Sequence, residues 1–190
     1  MSDADPGDET LIARYARGDA EAFTALYRRH ELRVWRYLER NVQSRAAAEE
    51  LMQEVWFAVA RDAERYRPTA RFTTWLFTIA RNRMLDLVRA RRPQVSLDAL
   101  GHEAPAVVER LTADRSAGPL AAAENRDQVR ALRRALARLP PEQRDAFLLQ
   151  LEGDLSVEEV AAITGSSFET VKSRLRYARA KLRELLREYA

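Results

Sequence analysis

Residues 156–182 read SVEEVAAITGSSFETVKSRLRYARAKL, and this stretch decides the architecture. Ser156 stands three residues before Glu159, the spacing at which a hydroxyl and a carboxylate cap a helix start reciprocally. Val157, Val160, Ala161 and Ile163 give that short helix an apolar side. Gly165 follows, where the missing side chain permits the left-handed backbone of a tight turn. Ser166 and Ser167 can cap the next helix, in which Val171, Leu175, Ala178 and Leu182 recur every three or four residues. The opposite side carries Thr170, Lys172, Ser173, Arg174, Arg176 and Tyr177, hydroxyls and cations suited to base edges and phosphates in a major groove. Short helix, glycine turn and basic amphipathic helix together make the layout of a DNA-reading helix-turn-helix. A helical hairpin with a merely solvated charged face has the same pattern, so the rest of the chain must decide.

Of the 32 basic side chains in 190 residues, only Lys172 and Lys181 are lysine. The net charge of +3 hides an acidic start (Asp3, Asp5, Asp8, Glu9) and two basic blocks. Five arginines face one acid over 81–92, and seven basic residues face three acids over 168–190. Two separate basic blocks are the footprint of a protein that follows a polyanion. There are no cysteines, which excludes disulfides and thiolate metal sites and agrees with a reducing cytoplasm. The longest uncharged apolar run, VWFAVA at 55–60, is far short of the roughly 18 residues that cross a bilayer. The acidic N-terminus is the opposite of a signal peptide's start. No membrane insertion and a cytoplasmic location are therefore expected. His30 and His102, far apart in sequence, read as ordinary surface or packing residues.

Working back from the helix-turn-helix, helical periodicity recurs nearly everywhere and no alternating strand pattern appears, so the expected fold is all-α. Helices are expected over about 10–17, from the Asp19 cap through Leu38, over about 45–65, and over about 73–91. Phe23, Leu26, Tyr27, His30, Val34 and Leu38 form the stripe of the second. Residues 93–125 hold three prolines and two glycines without an apolar period and read as an extended linker between two helical domains. A helix from about 124 to Leu139 follows, then one over 141–151 with Pro141 in its first turn, ended by Gly153. The expected division is an acidic tail at 1–10, a first domain at 11–92, the linker at 93–125 and a second domain at 126–190.

Two further stretches carry chemistry. In YRPTARFTTWLFTIARNRMLDLVRARR at 66–92, Tyr66, Phe72, Trp75 and Phe77 interleave with Arg67, Arg71, Arg81 and Arg83. Aromatic faces and cations are what single-stranded nucleic acid needs, with stacking worth about 1–3 kcal/mol per base. Aromatic stripes usually build cores, and Trp75 is read as mainly structural. On the helix at 45–65, Glu49, Glu50, Gln53, Glu54 and Phe57 lie off the apolar stripe. An aromatic anchor among acids marks a protein interface.

The segment 156–180, with LPPEQRDAFLL before it, resembles region 4 of a bacterial sigma factor, and TVKSRL matches that region's recognition helix. FTTWLFTIARNRMLDLVR resembles sigma regions 2.3–2.4, and AEELMQEVWFAVARDAERYR at 48–67 resembles region 2.2. The order and gap fit a sigma-70 family protein of the small, two-domain extracytoplasmic-function class. The resemblance implies a factor that binds core RNA polymerase, recognises promoter −35 and −10 elements and promotes melting, without catalytic residues or a cofactor. It places Glu50, Gln53, Glu54 and Phe57 against the polymerase. Tyr66, Arg67, Arg71, Phe72, Asn82 and Arg83 fall at the −10 element as single strand. Thr170, Lys172, Ser173, Arg174, Arg176 and Tyr177 fall at the −35 duplex, with Tyr177 where the family often has a basic residue. The linker would run through the polymerase interior near the nascent RNA. Many members are held inactive by an anti-sigma factor, and nothing in the sequence identifies one. A stand-alone helix-turn-helix regulator, with residues 11–92 sensing or dimerising, is the alternative.

Overall fold

A computed structural model describes residues 5–91 and 119–187. Eight α-helices occur among the described residues: α1 (Asp8–Tyr15), α2 (Ala20–Val42), α3 (Arg45–Asp62), α4 (Phe72–Arg91), α5 (Pro119–Ala137), α6 (Pro141–Gly153), α7 (Val157–Thr164) and α8 (Phe168–Leu185). A 3-10 turn, Ala63–Arg65, joins α3 to the loop before α4. No strand occurs among these residues, in keeping with the all-α expectation.

The helix starts follow from local chemistry. The Asp19 carboxylate accepts from the Glu21 and Ala22 amides at 3.1 and 3.2 Å, and Ser44 Oγ accepts from Ala47 N at 3.4 Å. Gln43 and Asp154 end α2 and α6 in the left-handed conformation, with φ of 55° and 52°. Gly153 is the last residue of α6, and its φ is not positive. A Cβ there would lie 2.8 Å from Leu155 Cγ, so close packing, not turn geometry, requires that glycine.

Two boundaries differ from the expectation. α1 begins at Asp8, so Asp8 and Glu9 belong to a folded helix and not to a tail; acids in a first turn suit the helix dipole. α5 begins at Pro119, so 119–125 are helical. Proline at the first helical position followed by Leu-Ala-Ala-Ala starts a helix without an amphipathic stripe. Residues 93–118 of the expected linker, His102, and the first four residues lie outside the described residues.

α2 is the hub, touching α1, α3, α4, α5 and α6. Leu26, Val34, Tyr37 and Leu38 of α2 are fully buried, as are Val55 and Val59 of α3, Phe72, Leu76 and Phe77 of α4, and Leu148 and Leu149 of α6. The buried residues form a core cluster that runs through both halves of the chain. His30 is 2% exposed and its Nε2 lies 2.7 Å from Asp8 Oδ2. Its partner was illegible because it sits 22 residues away in sequence.

Polar bonds fasten the second half onto the first. Asp145, nearly buried on α6, accepts from Tyr37 Oη and from Arg81 Nε, each at 2.8 Å. Burial, reinforced by the Asp145 charge, pushes the Tyr37 hydroxyl well above the usual range. Glu152 pairs with Arg40, and its carbonyl accepts from Arg33 Nε at 2.6 Å. Burial raises the Glu152 carboxyl against the pull of Arg40, Arg36 and Arg33. Arg133 of α5 reaches Glu39 of α2 at 2.5 Å.

Candidate nucleic-acid and polymerase surfaces

The helix-turn-helix forms as its sequence dictates. Ser156 and Glu159 make the reciprocal capping box, with Glu159 N to Ser156 Oγ at 3.1 Å and Ser156 N to Glu159 Oε2 at 2.8 Å. Gly165 takes φ 63°, and Ser167 Oγ accepts from Thr170 N at 3.2 Å. Val171, Leu175, Ala178 and Leu182 are buried, which turns the opposite side of α8 outward. Lys172 lies 5.9 Å above the Phe168 ring and 3.9 Å from Glu169, while Arg176 stacks 4.9 Å from the Tyr177 ring. Arg174 Nη1 donates to Ser166 Oγ at 2.9 Å, which aims its guanidinium from the turn. Thr170, Lys172, Arg176 and Tyr177 are exposed, and Ser173 and Arg174 half-buried. All six expected residues share this one helix and one accessible side.

The −10 set divides. In the loop between the 3-10 turn and α4, Tyr66 Oη donates to Ala70 O at 2.8 Å, and its ring packs 5.3 Å from Trp75. Arg67 donates to the Glu64 and Tyr66 carbonyls at 3.0 and 3.2 Å. Arg71 donates to Asp154 O at 3.1 Å. Phe72 is 0% exposed beneath this loop, between His30 and Trp75. It therefore supports the loop and offers no face to a base, a correction to the expected set. Asn82 is exposed and Arg83 half-buried. At about 1.5 Å per helical residue they lie about 15 Å along α4 from Phe72. Loop and mid-helix are two patches on one domain.

On α3, Glu50, Gln53 and Glu54 are exposed, and Phe57 is 69% exposed. The adjacent Trp56 turns inward against Phe23 and Tyr27, at 5.8 and 5.0 Å. One aromatic builds the core while its neighbour stands out among acids.

Family comparison bears directly on these surfaces. The family model described as Sigma-70 region 2 matches residues 26–94, and Sigma-70, region 4 matches 129–182. The chain belongs to the sigma-70 family. Among curated relatives, it is 36% identical over 181 residues to the RNA polymerase sigma factor CarQ of Myxococcus xanthus, covering 93% of this chain and 96% of that one. It is 35% identical over 192 residues to the ECF RNA polymerase sigma factor SigE of Mycolicibacterium smegmatis, covering 98% and 72%. These relatives support membership in the extracytoplasmic-function class. A solved structure of CnrH with the cytosolic domain of CnrY matches with TM-score 0.65 and 26% identity, over 96% of this chain and 99% of that one. The sigma factor RpoE from Bartonella quintana, solved with the anti-sigma factor NepR, matches with TM-score 0.69 and 25% identity, over 88% and 98%. No helix among the described residues is long and apolar enough to cross a membrane.

In this sigma factor, the residues that sequence reasoning missed lie where regions 2 and 4 meet. Arg81 was grouped with the basic block, yet it is bonded to Asp145 and to the Ile163 carbonyl at 3.2 Å. Thr74 Oγ1 donates to Glu159 Oε1 at 2.5 Å. Arg71 lies 3.6 Å from Asp154 Oδ2 and 3.9 Å from Glu159 Oε2. Burial raises the Glu159 carboxyl, but the bonds from Thr74 and Ser156 outweigh burial and hold it low. No local pattern announces these partners, which are 64 to 88 residues apart.

Proposed function

We propose that this sigma factor works through three surfaces, on α3, on α8, and on the loop before α4 together with α4 itself. Glu50, Gln53, Glu54 and Phe57 of α3 bind core RNA polymerase, with Phe57 as anchor and the acids as complement to a basic partner. The outward side of α8 reads the −35 element as duplex through Lys172, Ser173, Arg174 and Arg176, with Thr170 and Tyr177 flanking them. Tyr66, Arg67 and Arg71 of the loop, with Asn82 and Arg83 on α4, capture the −10 strand once it is unpaired. The observation that carries this reading is α8, whose buried stripe leaves its hydroxyls and cations on one accessible side.

Melting is then a matter of binding. Extruding a base costs a few kcal/mol, recovered when the protein stacks and hydrogen-bonds it. The loop and α4 supply that recovery only if Arg71 and Thr74 exchange their region 4 acceptors, the Asp154 carbonyl and the Glu159 carboxylate, for the strand. Bond making belongs to the polymerase, and this chain contributes binding alone, without a cofactor. It works in the cytoplasm, and an anti-sigma factor is a further partner, as in the solved complex of RpoE from Bartonella quintana. Run-off transcription with purified core polymerase and a promoter library tests the reading. Specific transcripts that need this chain and no other sigma factor are expected. Promoter binding without initiation would point to a stand-alone regulator.

A further inference from the structure

We infer that Glu9 is a positioning residue for capture of the unpaired strand, acting through the first turn of α4. This rests on the assignment of the loop before α4 to the −10 element. The opening amides of a helix need acceptors from outside it. The residue ahead of α4 is Arg71, whose guanidinium can only donate. Phe72 N instead donates to Glu9 Oε1 at 3.0 Å, across 63 residues of sequence. A carboxylate at that end of a helix also meets the positive pole of its dipole.

Glu9 can hold α4 because α1 is itself fixed. Its neighbour Asp8 binds both Arg29 and His30, and Leu11 and Ile12 are 2% and 0% exposed. His30 in turn packs its ring 5.4 Å from Phe72. The loop is tied to the same point. Tyr66 meets Phe72 edge-on at 6.2 Å, and its hydroxyl is raised first by burial and then by the charges of Glu9 and Asp8. Glu9 also borders a groove of about 620 Å³ walled by Pro68, Arg71, Thr74 and Glu159. One carboxylate thus sets the floor of the place where a base would enter and stands at its edge. Removing the acceptor frees the first turn of α4, and Arg71 and Tyr66 lose their fixed spacing. A binding constellation loses selectivity when its supporting contacts loosen.

The test uses holoenzyme assembled from core RNA polymerase with wild-type, Glu9→Ala or Glu9→Gln chain. Templates carry a melted segment already mismatched, each −10 position in turn occupied by all four bases, and the −35 element intact or scrambled. The readout is the affinity ratio between the preferred and the altered −10 strand. Glu9→Ala should shrink that ratio roughly five- to tenfold, the scale of one lost helix cap. Glu9→Gln should preserve it, since its amide oxygen still accepts from Phe72 N. Dependence on the −35 element should be unchanged in both. A wild-type ratio in Glu9→Ala overturns the inference, even if thermal stability falls, because only a structural role would then remain. So does a loss in Glu9→Gln equal to that in Glu9→Ala. Failure of the underlying loop assignment looks different: Arg71→Ala and Asn82→Ala would leave strand selection untouched, and the inference would fall with it.

Discussion

Arg174 and Arg81 are both arginines on helices that meet DNA in this reading, yet their surroundings differ. Arg174 leans on Ser166, inside its own helix-turn-helix, and α8 needs nothing from region 2 to display its outward side. Arg81 is fastened across the molecule to Asp145 and to the Ile163 carbonyl, while Arg71 and Thr74 of the same domain hold Asp154 and Glu159. A surface whose bonds are local is ready in any arrangement of the two domains. A surface that borrows carboxylates from the other half is complete only while the halves stay together. The −35 face is thus set by sequence alone, and the state of the −10 face is set by the fold.

The strongest way to break that contrast is to remove the shared acid. Asp145→Ala strands Tyr37 and Arg81 in a buried site, and losing one partner of such a pair costs about 3–5 kcal/mol. Urea denaturation should show the lower stability, and duplex −35 binding by the folded variant should persist. Substituting Arg71 and Asn82 together with Ala probes the −10 face directly. Open-complex formation should drop roughly 10- to 100-fold, as expected for lost strand contacts, while closed complexes still form through α8. Permanganate reactivity of unpaired thymines reads the difference, and full reactivity would remove both residues from the site.

Arg174→Ala probes the other side. It should weaken −35 duplex binding by about 1–3 kcal/mol and relax sequence preference, leaving binding to unpaired −10 strand as it was. Gel shifts on both substrates make the comparison. Charge reversal at Glu50 and Glu54 should alter neither DNA surface and should weaken polymerase binding by about 1 kcal/mol or less per charge, more at low salt. An undiminished pull-down of core enzyme would move that interface elsewhere.

The smallest effect concerns acid. Burial raises the Asp8 carboxyl, but its bonds to His30 and Arg29 outweigh burial and hold it below the usual carboxylate value. Its contribution is therefore present above that value and is lost as pH falls through the depressed folded one. Asp8→Asn should flatten the acid limb of the stability curve below about pH 4, measured by urea melts. The change should reach α4 through His30 and Phe72 and leave α8 unaffected.

Legibility follows the same division. The capping box at Ser156 and Glu159, the turn at Gly165 and the cap at Ser167 use partners within a few residues, so their roles could be read in order along the chain. Phe57 was also legible, since it falls off the apolar stripe of α3. Phe72 was not. It opens its helix, where no period yet exists to say which way it turns, and only contact with His30 and Trp75 buries it. Asp145 sits in an early turn of α6, where any acid suits the dipole, and nothing nearby foretells Tyr37, 108 residues distant. Asp8 and Glu9 read as part of a charged tail for the same reason.

Glu159 carries a consequence of its own. One of its oxygens accepts from Ser156 N and starts α7, and the other accepts from Thr74 on region 2. The side chain that begins the helix-turn-helix is therefore also a fastening between domains. Mutational drift cannot tune the grip of the two halves at this position without also loosening the first turn of α7. An amide there would keep an oxygen for Ser156 N but turn its NH2 toward Thr74, whose hydroxyl must then accept where it now donates. Asp154 holds Arg71 through its carbonyl, which any residue supplies, yet its left-handed backbone at φ 52° restricts what can stand there.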